Sequence, residues 1–273
     1  MYRFIPIIFC LLVASGICAQ TYEEYVDGGI NAAREQAYAE AEECFRQALK
    51  MSPDNYRNAL VYSNLAKVQY AQGKPLKALD SYTLALNIAP LNIPILKSRA
   101  DLYFELGNYK KAIIDYGNIL DKNPESTDAL QASAYIYQHF KDYEQASQCY
   151  AKLLQLNPGD YAARLGMAIL QQNTQHGAEA MSILSKLIDD YPDRAELYTI
   201  RAEIEAESHQ TELAIYDLNR AIELEPDNTN TILTRAYLHK LRGDKRLARH
   251  DFLRAIELGV PRASLKKELK EVK

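Results

Sequence analysis

The stretch IPILKSRADLYFELGNYKKAIIDYGNILDKNPES, residues Ile93 to Ser126, decides the fold. It reads as a helix over Ile93–Leu106, a turn at Gly107-Asn108, a second helix over Tyr109–Leu120, and a stop at Pro124, whose ring cannot continue a helix. Outward from Pro124 the same unit returns in both directions. Seven of the ten prolines (Pro53, Pro90, Pro124, Pro158, Pro192, Pro226 and Pro261) stand 34 to 37 residues apart. A fixed period of this length marks a repeat array rather than separate domains.

Aligning on the prolines exposes further columns. Ala66, Ala100, Ala134, Ala168, Ala202 and Ala236 stand 34 apart; so do Ala78, Ala112, Ala146, Ala180, Ala214 and Ala248, with Ala41 before them. Four residues after each of this second set comes Phe45, Tyr82, Tyr116, Tyr150, Leu184, Leu218 or Phe252, on the same helical face. The alanines mark where two helix backbones approach most closely, and the larger residue fills the space beside them. Gly73, Gly107 and Gly243 share the turn column. Asn58, Asn92, Ser126, Asp160 and Asn228 are expected to cap the first helix of their units.

The columns resemble the tetratricopeptide repeat. The resemblance covers seven units (22–55, 59–92, 93–126, 127–160, 161–194, 195–228 and 229–262), with Tyr56-Arg57-Asn58 inserted after the first. It implies an all-α solenoid of seven antiparallel helix pairs in a right-handed superhelix. The pattern departs from the family's in having no tryptophan, in polar residues Gln69, Gln171, Glu205 and His239 at a place usually tyrosine, and in Gly28-Gly29 inside the first helix. Each of those glycines is expected to cost about 1 kcal/mol. Beyond Pro261, Leu265, Leu269 and Val272 recur on one face and Lys266, Lys267, Glu268 and Lys270 on the other, which predicts a capping helix over 263–273.

Residues 1–20 lie outside this array. One positive charge, an apolar run from Phe4 to Ala14 and a small, mildly polar stretch to Gln20 give the order of a secretory signal peptide, with an expected cut after Ala19 or Gln20. The expectation is export, to the periplasm or envelope if the source is bacterial. Cys18 raises a lipoprotein alternative, against which Ile17 stands where that signal has a small residue. Cys44 and Cys149 are too many repeats apart for a disulfide in a linear stack and read as free structural thiols.

Arg99, Arg201 and Arg235 each have an acid sixteen residues on: Asp115, Asp217 and Asp251. The other four units lack both charges, as an ion pair between the two helices of a unit would require. The five histidines fall in different columns and read as surface or groove residues, and no phosphate loop, nucleophile elbow or metal-ligand spacing is present. No catalytic residue, metal or cofactor is therefore expected. The net charge is -4, which with export disfavours nucleic acid, yet Lys240 to Lys273 carries eleven basic and five acidic residues. Membrane contact is expected only through that basic end.

The resemblance implies that the first helix of each unit lines an inner groove. Its groove places fall on Lys67, Tyr70, Lys97, Asp101, Phe104, Gln131, Tyr135, Gln138, His139, Leu165, Ile169, Gln172 and Asn173. Aromatic rings among amides suit an extended or helical peptide. The expected function is a non-enzymatic scaffold in the envelope that binds a protein or peptide in this groove. The alternatives are an accessory subunit of an assembly or secretion complex, docking by its convex face and basic end, and the non-catalytic half of a split enzyme.

Overall fold

The computed structural model describes residues 21–273; the expected signal peptide lies outside them. The described residues form fifteen helices and no strand. They are α1 (Tyr22–Arg34), α2 (Tyr38–Met51), α3 (Asn58–Ala71), α4 (Pro75–Ile88), α5 (Ile93–Glu105), α6 (Tyr109–Lys122), α7 (Thr127–His139) and α8 (Tyr143–Leu156). Then come α9 (Tyr161–Asn173), α10 (Gly177–Asp190), α11 (Ala195–Glu207), α12 (Thr211–Leu224), α13 (Thr229–Arg242), α14 (Lys245–Glu257) and α15 (Lys266–Glu271). Among the described residues no helix is long and apolar enough to cross a membrane. The chain divides within α6 into two compact units, one ending at Asn118 and one running from Ile119 to Lys273.

Inside each unit the helices stack as adjacent pairs. In the first, α1 packs on α2, α2 on α3, α3 on α4 and α4 on α5; in the second, the same succession runs from α7 to α15. Every alanine of the two columns is fully buried. The absence of a bulky side chain at those places lets the paired backbones close up, and Phe45, Leu184, Leu218 and Phe252 fill the space next to them with no exposure at all.

The turn column is left-handed in all seven units. Gly73, Gly107 and Gly243 have φ of 73, 70 and 90°, and Gln36, Lys141, Gln175 and His209 take the same conformation at 61, 60, 65 and 59°. The geometry is set by the backbone closure of the turn: Lys74 N–H reaches back to the Gln69 carbonyl at 2.9 Å, and Asp142 N–H to that of Tyr137 at 2.8 Å. A side chain at this place is strained whatever its type, so four units hold the turn at a conformational cost.

Gly29 stands in the alanine column of the first pair. A Cβ there would come within 2.6 Å of the Phe45 ring, so this glycine is a packing requirement rather than a weakness of the helix. Gly28 is different: its Cβ would meet only Cys44 Sγ, at 3.7 Å.

The capping expectation holds at Asn92, Asp160 and Asn228, whose side chains accept from the backbone N–H three residues on. Ser126 occupies the cap position without a side-chain bond. Asn58 departs from it. The three-residue insertion carries it into the first turn of α3, where it is buried, accepts from Tyr22 Oη at 3.0 Å and donates to the Ser52 and Pro53 carbonyls at 2.7 and 3.0 Å.

The three arginine–aspartate pairs form as double-headed contacts. Arg99 Nε and Nη2 lie 2.8 Å from the two carboxylate oxygens of Asp115; Arg235 makes the same pair of 2.8 Å bonds to Asp251. Arg201 reaches Asp217 at 2.5 and 2.8 Å. Each aspartate side chain is 2% exposed. At the end of the chain, Leu265 and Val272 are buried with Ala236, Ala248 and Phe252, which seats α15 on the last helix pair.

Candidate functional site

Within the unit ending at Asn118, Lys67 and Tyr70 are exposed on α3. The Tyr70 hydroxyl donates to Glu105 Oε2 at 2.6 Å, which raises its pKa. On α5, Lys97 pairs with Asp101 at 2.9 Å, and the other oxygen of Asp101 accepts from Tyr116 Oη at 2.7 Å. Phe104 lies edge-on to Tyr109, with ring centres 5.3 Å apart. A cavity of about 180 Å³ opens beside Tyr70, Ser98, Asp101 and Glu105, too small for more than one side chain.

In the unit from Ile119 to Lys273 the expected residues converge. Six of them, Tyr135, Gln138 and His139 from α7 and Leu165, Ile169 and Asn173 from α9, line one cavity of about 560 Å³. Gln131 and Gln172 belong to the same helices but lie outside its wall. The cavity takes the end of α7 and the face of α9 that carries Leu165, Ile169 and Asn173.

Three tyrosines from outside the groove places complete the wall: Tyr143 and Tyr150 from α8 and Tyr161 from the start of α9. Tyr150 belongs to the column that packs beside the alanines, yet it reaches the cavity because Gly166 gives it room. A Cβ on Gly166 would sit 2.3 Å from the Tyr150 ring. The ring passes over the α9 backbone and its hydroxyl donates to Gln138 Oε1 at 3.0 Å. Burial pushes the Tyr150 phenol up to about 12, so it stays a neutral donor. No other unit has glycine at this place, so the sequence does carry a mark of the cavity.

Tyr161 is held at the far lip. Its hydroxyl donates to Glu196 of α11, its ring is edge-on to Tyr191 at 5.0 Å, and the Arg194 guanidinium lies 5.4 Å above it. Burial and the Glu196 carboxylate both raise its pKa. The wall is therefore made of four tyrosine rings, two of them, Tyr150 and Tyr161, fixed by polar contacts at their tips, with the Gln138 and Asn173 amides beside them. Such a surface offers apolar area together with donors and acceptors for a main chain.

His139 is exposed in this cavity, as expected of a groove residue. His239 differs from the expectation: it is buried on α13, where desolvation lowers its pKa. Cys44 and Cys149 are both free thiols, and burial raises Cys149 to about 11. Among the described residues no group of three His, Cys, Asp or Glu side chains is placed to hold a metal ion.

Paired helices stacked on buried alanines define a helical-repeat protein. Three family models described as tetratricopeptide repeat match residues 28–90, 97–161 and 141–204. A solved tetratricopeptide repeat protein from Parabacteroides merdae is 32% identical, over 92% of this chain and 98% of that one, with a TM-score of 0.67. The chain belongs to the tetratricopeptide repeat family. The photosystem I assembly protein Ycf3 of Cyanophora paradoxa is 34% identical over 83 residues, 30% of this chain and 48% of that protein. The chain thus spans about half the length of that curated relative. YrrB, described as a TPR protein with an unusual peptide-binding site, shares the fold at 21% identity, with a TM-score of 0.58 over 70% of this chain and 97% of its own. Proteins of this repeat are generally protein- or peptide-binding scaffolds, and the fold is typically non-catalytic.

Proposed function

We propose that this chain is a non-enzymatic scaffold that holds a peptide segment of a protein partner in the cavity between α7, α8 and α9. The observation that carries the reading is the tyrosine wall opened by Gly166. Four tyrosines supply rigid contact area at low entropic cost, and Leu165 and Ile169 give an apolar floor. A volume near 560 Å³ admits two or three side chains of an extended segment, while the Gln138 and Asn173 amides face its backbone. The reading includes export to the cell envelope, supported by the order of charge, apolar run and small residues over 1–20.

The test is recovery of partners from an envelope extract on the immobilised chain, followed by titration of the recovered partner. Tyr135→Ala and Asn173→Ala should each weaken that complex, the tyrosine by about 2 kcal/mol or roughly 30-fold, with the melting temperature little changed. Tyr216→Ala removes a still more exposed ring on α12, outside the cavity, and should leave affinity unchanged. Equal loss from Tyr216→Ala, or none from the cavity variants, would refute the assignment.

A further inference from the structure

The stretch from Lys240 to Lys273 is basic, and the structure sorts its charges. Of its five acids, Asp251 is buried beneath Arg235, Asp244 pairs with Arg242, Glu271 pairs with Lys240, Glu268 turns one oxygen into the protein, and only Glu257 is exposed without an ion pair among the described residues. Beyond Lys240 and Arg242, the cations have no such partners. Lys245, Arg246, Arg249, Arg262, Lys266, Lys267, Lys270 and Lys273 make no ion pair among the described residues.

Four of these cations meet at one place. Arg262, Lys266, Lys270 and Lys273 line a cavity of about 490 Å³ whose remaining wall is Ala263 and Leu269, with no acid among its lining residues. Lys266, Lys270 and Lys273 are spaced by four and three, so they share one face of α15 and its continuation, with Leu269 at the edge of that face. The apolar side is fixed, because Leu265 and Val272 are buried with Ala236, Ala248 and Phe252, and Leu269 packs in part against the same cluster. Packing therefore holds the cations around the cavity.

We infer that this cavity takes the phosphate group of an acidic phospholipid, so that the C-terminal end of the chain docks on an anionic bilayer surface. Four cations around one space suit an anion with several charged oxygens; a single side-chain carboxylate would leave most of them unmatched. The Leu269 and Ala263 wall, which a free phosphate ion would leave bare, fits the glycerol and upper acyl portion next to the headgroup. Lysines near an anionic membrane contribute additively to such attachment. This inference is independent of the groove, since α15 and Arg262 contribute nothing to the tyrosine-walled cavity.

The experiment is co-sedimentation of the full chain with mixed phosphatidylglycerol–phosphatidylcholine vesicles and with phosphatidylcholine vesicles alone. Binding is expected to the mixed vesicles only, falling as salt is raised. At about fivefold per lysine, Lys266→Gln with Lys270→Gln should lower partition by about 25-fold. Lys245→Gln with Arg249→Gln changes the net charge equally but lies outside the cavity, and should cost much less. Ala263→Glu, at an exposed site, should abolish binding while circular dichroism shows the helices intact. Equal losses from the two double variants would mean diffuse charge and overturn the site. Full competition by soluble poly-glutamate at matched ionic strength would assign the cavity to an acidic protein and overturn the lipid reading.

Discussion

Gly28 and Gly29 are neighbours in α1, and alanine should act on them in opposite directions. Replacing glycine by alanine in a helix interior stabilises by about 0.8–1 kcal/mol, and this gain is common to both sites. At Gly28 nothing opposes it, since the added carbon makes an ordinary contact with Cys44 Sγ at 3.7 Å. At Gly29 the same carbon would lie 2.6, 2.8 and 2.9 Å from three atoms of the Phe45 ring. Phe45 is fully buried among Tyr22, Ala41, Ala48, Val61 and Leu65 and has nowhere to retreat. Forcing a methyl into such a core costs about 1–3 kcal/mol. The propensity gain cancels between the two variants, so their difference isolates the overpacking cost and should fall in that range, with Gly28→Ala above wild type and Gly29→Ala at or below it. Stability in a repeat stack is local to a unit and its neighbours, so the assay is native-state hydrogen exchange of the α1 and α2 amides rather than a global melt. Each kcal/mol moves the opening constant about fivefold. Equal protection of α1 in both variants would show that Phe45 does not lie against Gly29, and the reading of the alanine column would fail.

Three further outcomes follow from the same structure. In a double-mutant cycle, Arg201→Ala and Asp217→Ala should each cost about 3–5 kcal/mol and prove strongly non-additive, because Asp217 is 2% exposed beneath a double-headed arginine; additive losses measured by urea unfolding would contradict the pair. Glu205 is buried beside Asp217, with one oxygen lacking a partner, and desolvation first and the Asp217 charge second raise its pKa to about 7, against the opposing pull of Arg201. The unfolded chain therefore loses this proton first: Glu205 costs nothing below about pH 4, and stability falls from there until about pH 7, by up to about 3 kcal/mol, then levels. Glu205→Gln should flatten that slope and stabilise at neutral pH; a wild-type-like slope in the variant would place the titration elsewhere. His209→Gly relieves a left-handed residue with φ of 59° and should raise stability by about 1 kcal/mol by urea unfolding; a loss would mean that the His209 side chain holds the turn.

The pairs and their spacing were legible because each repeat poses the same steric problem and solves it with the same residues. All thirteen column alanines are fully buried, and the co-occurrence of arginine and aspartate across units anticipated three contacts between paired helices. The turn column was harder to read. Glycine marks it in three units, while Gln36, Lys141, Gln175 and His209 adopt its geometry because the backbone closure of the turn imposes it. Asn58 was misread because an inserted segment shifts it from a cap into the core, where its amide joins Tyr22 to two carbonyls. In the candidate site, places counted along one helix identified α7 and α9 residues but not Tyr143, Tyr150 and Tyr161. Tyr150 enters the cavity only through the gap left by Gly166, a contact between helices that no periodicity within one helix encodes.

The most direct measurement is photocrosslinking from inside the tyrosine-walled cavity. A photoreactive residue at position 169, on the floor of the cavity, and another at position 216, on exposed α12, would be placed in the full chain and irradiated with the partner bound. The account predicts adducts from position 169 that map to one short segment of the partner, and none from position 216. Adducts from position 216 alone, with the partner still bound, would contradict it.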